Sequence, residues 1–123
     1  MFVLDSHCDT PSQILRLRDL SKDNDHAHVD FPKLARGGVD AAFFALYVPA
    51  SLDADQQKAE EYALNLLEAL RTCVDINKDK SAFACTPSEA VSNKDKGLFS
   101  VFIGLENGSP VGQSLEKLRM FHQ

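Results

Sequence analysis

The sequence has no apolar run approaching the roughly 20 residues that a helix needs to cross a bilayer, so it offers no candidate membrane-spanning helix. It has no surplus of positive charge either. Thirteen Lys and Arg stand against 18 Asp and Glu, for a net charge of −5, and the two signs are interspersed. No basic stripe is available to neutralise a phosphate backbone or to dock on an anionic membrane, and nucleic acid is not an expected partner. Cysteine is scarce: Cys8, Cys73 and Cys85 are odd in number and widely spaced. That suits neither a disulfide framework nor a four-thiolate zinc site, and reduced structural thiols are expected. Internal repeats, low-complexity segments, a Ser-His-Asp ordering and a Gly-rich phosphate loop are also missing; Gly37-Gly38 reads as a helix stop. Met1 runs directly into Phe2-Val3-Leu4 with no basic region or cleavage site. The expected location is cytoplasmic if Met1 is the native start, and otherwise export with a leader removed.

What is present is the balance of a soluble globular protein, 44% hydrophobic and 25% charged over 123 residues, enough for one domain with a real core. Phe2 to Leu4 is a short apolar strand ending in the polar tip Asp5-Ser6-His7-Cys8-Asp9. Thr10 as N-cap and Pro11 in the first turn then open a helix expected to run to about Leu20. Ser21 to His28 reads as a polar loop, and Lys33 to Gly38 as one helical turn closed by the glycine pair. Val39 to Val48 is almost continuously apolar, as a strand buried on both faces of a parallel sheet would be. From Asp53 to about Lys78, Ala59, Tyr62, Ala63, Leu66, Leu67, Leu70 and Val74 recur at helical spacing. Thr86-Pro87-Ser88-Glu89 has the capping-box form and opens a short helix ending at Gly97. Leu98 to Leu105 is a third apolar strand closing on Glu106-Asn107-Gly108, and Ser114 to Gln123 starts another amphipathic helix. Three strands alternating with helices predict right-handed βαβ units, a parallel sheet and an α/β class.

In such folds ligands bind outside the carboxyl ends of the strands, and two of those ends carry chemistry. His7 and Asp9, one residue apart, alternate onto the same side, where an imidazole nitrogen and a carboxylate oxygen can meet one cation; zinc accepts both donor types. Glu106 ends the third strand, and its two oxygens can bridge a pair of cations that activates water for hydrolysis. Taken alone, H-x-D is a common spelling, and Glu106 equally suits a helix cap or a partner for a basic residue. His26-Ala27-His28 is a competing metal spacing, but it lies in a charged loop away from a strand end. His28 and Asp30 repeat the H-x-D spelling before Phe31-Pro32, which suggests a packing turn, and His122 has no context. Cys8 alternates away from His7 and Asp9 and reads as a packed thiol. Asp5 reads as a support for the strand end or a cap.

Three separated motifs, Asp5-Ser6-His7-Cys8-Asp9-Thr10-Pro11, His28-Val29-Asp30-Phe31-Pro32-Lys33-Leu34 with Gly37-Gly38-Val39 and Phe43-Phe44, and Ile103-Gly104-Leu105-Glu106-Asn107-Gly108, resemble the membrane dipeptidase (renal dipeptidase) family of zinc peptidases over the whole chain. The resemblance implies a (β/α)8 TIM-like barrel related to the amidohydrolases, hydrolysing dipeptides through a hydroxide held by two zinc ions. Residues 1–123 would be the N-terminal part of one such barrel, with about three of its strands. His7 and Asp9 would be ligands of one zinc and Glu106 the bridge to the other. Cys8 stands where the family usually has Asn, and Asn107 where it frequently has glycine. The second zinc's two histidines, a substrate-binding histidine and a catalytic aspartate would lie beyond Gln123, so the isolated chain is expected to be inactive. A different class of reading is a non-catalytic assembly or binding module that forms homo-oligomers through open sheet edges. A third keeps the ligands but acts on another amide or a lactone.

Overall fold

The computed structural model describes residues 1–122, all but Gln123. Strands and helices follow in the order β1 (Leu4–Cys8), α1 (Pro11–Ile14), α2 (Phe31–Gly37), β2 (Ala41–Tyr47), α3 (Gln56–Ile76), β3 (Ser81–Phe83), α4 (Pro87–Asp95), β4 (Phe99–Glu106) and α5 (Leu115–His122). The described strands form a single parallel sheet in the order β1-β2-β4-β3. Among the described residues, no helix is long and apolar enough to cross a membrane.

The core lies between the sheet and its helices. Alternation turns Ala42, Phe44 and Leu46 of β2 and Val101 of β4 toward the helical layer, where they join Leu66, Leu70, Cys73 and Val74 of α3 with Leu20, Phe31 and Leu34. The buried positions of α3 recur at three- and four-residue steps from Ala59 to Val74, the stripe the sequence predicts. The opposite sheet face is partly open. Leu4, Phe43 and Tyr47 keep 46%, 37% and 40% of their surface exposed, and Phe43 stacks on Phe102 with ring centroids 4.8 Å apart.

The structure departs from the sequence expectations in several places. There are four described strands rather than three, because β3 is only three residues long and carries no readable periodicity. Thr10 does not cap α1: its own backbone is helical and its hydroxyl lies 3.1 Å from Cys8 Sγ instead. Nor does α1 reach Leu20. Leu17 adopts a left-handed φ of 63°, and the Arg18 N–H turns back to the Gln13 carbonyl. This bend buries Leu20 and carries Arg18 to the Val29 carbonyl and to within 3.8 Å of Asp30.

Phe31-Pro32 is not a packing turn but the first turn of α2, capped by Asp30. The Asp30 side chain is fully buried. Oδ1 accepts the Lys33 N–H at 2.8 Å, while Oδ2 accepts the Asn24 N–H at 3.2 Å and the Lys33 ammonium at 3.0 Å. Lys33 Nζ also donates to the carbonyls of Ala27 and Asn24, so the polar 21–28 loop wraps around one buried ion pair. Burial pushes the Asp30 carboxyl up, but the Lys33 N–H, the Lys33 ammonium and the Asn24 N–H together hold it below the usual carboxylate range.

A carboxyl depressed in the folded state stabilises fully above its unfolded value of about 3.9, and that contribution is lost as pH falls through the lower folded value. Asp30→Ala removes a cap and strands two cations, and is expected to lower stability by about 3 kcal/mol or more. Urea midpoints taken from neutral pH to below about pH 4 check this, since the variant should also lose less in acid than the wild type. Gly112 supplies a second test. Its φ is 56°, and a Cβ there would meet the Gln56 side chain at 2.4–2.9 Å. That side chain donates to the Val111 carbonyl at 3.1 Å. Gly112→Ala should displace Gln56, strain the backbone and cost about 1–2 kcal/mol in the same unfolding measurement.

Candidate metal centre

Because β1 and β4 both run parallel to β2 and flank it, their carboxyl ends open on one edge of the sheet. At the end of β1 the register shifts between Asp5 and Cys8, an irregularity of the kind that re-aims a side chain. Asp5 holds it, accepting the His7 N–H on Oδ1 at 3.1 Å. Cys8 then turns into the core and His7 turns outward. On β4, Glu106 pairs in register with Tyr47, the last residue of β2.

These placements bring the three residues together. His7 Nε2 lies 3.3 Å from Asp9 Oδ1 and 3.2 Å from Glu106 Oε2, and one donor atom from each residue falls within 4.8 Å of the other two. Zinc ligands at about 2.0–2.2 Å in tetrahedral array stand roughly 3.3–3.5 Å apart, so the two short spacings match the edge of such a polyhedron. Glu106 Oε2 is shielded from solvent and accepts no hydrogen bond, although His7 Nε2 is close. A buried carboxylate oxygen without a donor is costly unless a cation meets it. The donor set and this orphaned oxygen together fit a divalent ion.

A cleft of about 430 Å³ opens beside the cluster, lined by Ser6, His7, Phe43, Ala45, Glu106 and Asn107 among others. A second cavity, about 420 Å³, lies at the amino ends of the strands, where Asp40 and Lys94 neutralise each other at 2.8 Å. Among the described residues, His7, Asp9 and Glu106 form the one group of three or more ligand-type side chains close enough to share an ion. His26 and His28 are exposed in their loop, Asp30 is committed to α2, and His122 is exposed on α5.

Three polar residues beside the cluster make contacts that the sequence does not foretell. Asn107, rather than Gly108, takes the positive φ of the turn after Glu106, at 81°. Its Nδ2 donates to the Val48 carbonyl at 3.0 Å and to Asp53 Oδ1 at 2.7 Å, and the Ser109 hydroxyl also donates to Asp53. These bonds hold the Asp53 carboxyl below its ordinary range, Ser109 contributing most and Asn107 next. Asn-Gly marks a turn in sequence, but nothing local points to a partner 54 residues away.

The description "membrane dipeptidase (peptidase family M19)" belongs to the family profile that matches residues 1–123. No curated protein matches the sequence. Among solved structures the chain is similar to dipeptidase AC, a metallopeptidase of family M19, at TM-score 0.86 and 24% identity over 99% of this chain and 40% of that one. It is also similar to a metallopeptidase from Rhodobacter sphaeroides liganded with a phosphinate mimic of the dipeptide L-Ala-D-Ala, at TM-score 0.85, 23% identity and 99% and 42% coverage. The probable dipeptidase PvdM from Pseudomonas aeruginosa matches at TM-score 0.75, 18% identity and 98% and 32% coverage. At these identities the likeness establishes the fold, which in these dipeptidases is a TIM barrel. The chain spans less than half the length of each. With the family profile matching from its first residue to its last, the chain belongs to the membrane dipeptidase family, peptidase family M19.

Proposed function

We propose that this chain supplies one side of the metal centre of a zinc-dependent dipeptidase, with His7 Nε2, Asp9 Oδ1 and the Glu106 carboxylate as its ligands. The observation that carries the reading is the convergence of these donors at the carboxyl ends of β1 and β4, the mouth at which TIM-barrel enzymes place their chemistry. The residues form the N-terminal part of a single (β/α)8 barrel whose complete site holds two zinc ions. The half-open face around Phe43 and Tyr47 supports this, since in a closed barrel that face is interior.

A zinc ion held by His7, Asp9 and Glu106 would supply the means to polarise a carbonyl and to make water nucleophilic at neutral pH. The chain's own contribution is positional. The Asp5-anchored irregularity in β1 presents His7 and Asp9 together, and the β2–β4 register brings Glu106 to them. A carboxylate has a second oxygen free to reach a neighbouring ion, so Glu106 is the ligand suited to be shared between two. Phe43 and Ala45 give the cleft an apolar wall that limits water beside the reacting groups. A dipeptide is the proposed substrate class, supported by family membership and by the dipeptide mimic held by the Rhodobacter sphaeroides relative.

Competition with a chelator for Zn²⁺ or Co²⁺ tests the ligand assignment. His7→Ala and Glu106→Gln should each weaken binding by more than about 100-fold, beyond the roughly 10- to 100-fold typical of residues that only support a ligand. Unchanged affinity in both variants would refute the assignment. A dipeptide assay tests the shared-site reading: residues 1–123 alone with added zinc should show no turnover, and hydrolysis by them would overturn it.

A further inference from the structure

Glu106 sits directly before a residue in a strained conformation. A φ of 81° suits glycine at no steric cost, and among residues with side chains asparagine tolerates it best. Here the asparagine also uses its side chain. The Val48 N–H donates to the Glu106 carbonyl at 3.1 Å, while the Val48 carbonyl accepts the Asn107 amide at 3.0 Å. Val48 is fully buried, so the Glu106 carbonyl and the Asn107 side chain are both fastened to a fixed point of the core. The other Asn107 amide bond runs to Asp53, in the segment that follows β2, and the Ser109 hydroxyl closes the ring on the same carboxylate oxygen. The Ser109 N–H donates back to Asn107 Oδ1 at 3.0 Å.

We infer that Asn107, Asp53 and Ser109 form a positioning clamp that fixes the direction of the Glu106 carboxylate toward His7 and Asp9, and so sets metal affinity without touching the metal. The inference rests on the ligand assignment proposed above. A glycine at position 107 would keep the turn, so the asparagine is explained by what its amide ties down. The tie joins the loop after β2 to the loop after β4 at the rim of the cleft, beside the Val48–Glu106 backbone bond and the Gln56–Val111 bond that also link them. Groups that orient a metal ligand typically change affinity 10- to 100-fold when removed.

The test is metal binding, read by chelator competition with Co²⁺ and by the visible spectrum of the bound Co²⁺. Asn107→Gly keeps the backbone conformation and removes only the amide, so affinity should fall about tenfold with an unchanged far-ultraviolet circular dichroism spectrum. Asp53→Ala should cause a similar fall, whereas Asp53→Asn, which keeps an acceptor oxygen, should restore most of it. Combining Asn107→Gly with Asp53→Ala should weaken binding little beyond either change alone, the signature of one coupled unit. Affinity in Asn107→Gly within twofold of wild type, or fully additive losses in the double variant, would overturn the clamp and leave the ligand assignment standing. A wild-type protein that takes up no Co²⁺ would overturn both.

Discussion

β2 hydrogen-bonds to β1 along one edge and to β4 along the other, with all three strands running the same way. Because the strands are parallel, every carboxyl end falls at one rim; because β2 lies between its partners, residues from the first and last strands meet across its end. A slip of one residue in the β2–β4 register would turn Glu106 into the helical layer and lift a core residue out of it. The apolar content of β2 is what prevents the slip. Ala42, Phe44 and Leu46 have one face on which to be buried, and α3 holds it.

How far the sequence revealed this depended on the range over which each feature is determined. Periodicity carried α3, and the local pairing of Thr86 with Glu89 carried α4, because both are fixed within a turn or two. The apolar runs of β2 and β4 were equally plain. β3 escapes because three residues cannot show a period, and α1 ends early because the chain turns at Leu17 and Arg18 reaches Asp30, which lies across a loop. The meeting of His7, Asp9 and Glu106 was readable because each marks a strand end in its own right. The Asn107–Asp53 bond was not, since it depends on how two distant loops are brought together by the sheet.

The carboxylates of Asp30 and Glu106 solve related problems with opposite placements. Asp30 draws Lys33, Asn24 and Arg18 inward and leaves its carboxylate with donors on both oxygens, so the charge is neutralised within the chain. Glu106 keeps one oxygen shielded yet without a donor. Helix capping thus absorbs the first carboxylate completely, while the second keeps an oxygen that no donor of the described residues meets.

β3 covers only the lower part of the outer edge of β4, pairing with Phe99 to Val101 and ending where Ala84 donates to the Val101 carbonyl. From Phe102 upward that edge has no partner among the described strands. A further parallel strand can therefore join β4 only along its upper half, starting level with the Phe43–Phe102 stack and rising to the rim. Three residues of pairing act as a doorstop: they would set the depth to which any strand added to this edge could descend, and with it the height at which that strand's side chains would stand relative to the rim.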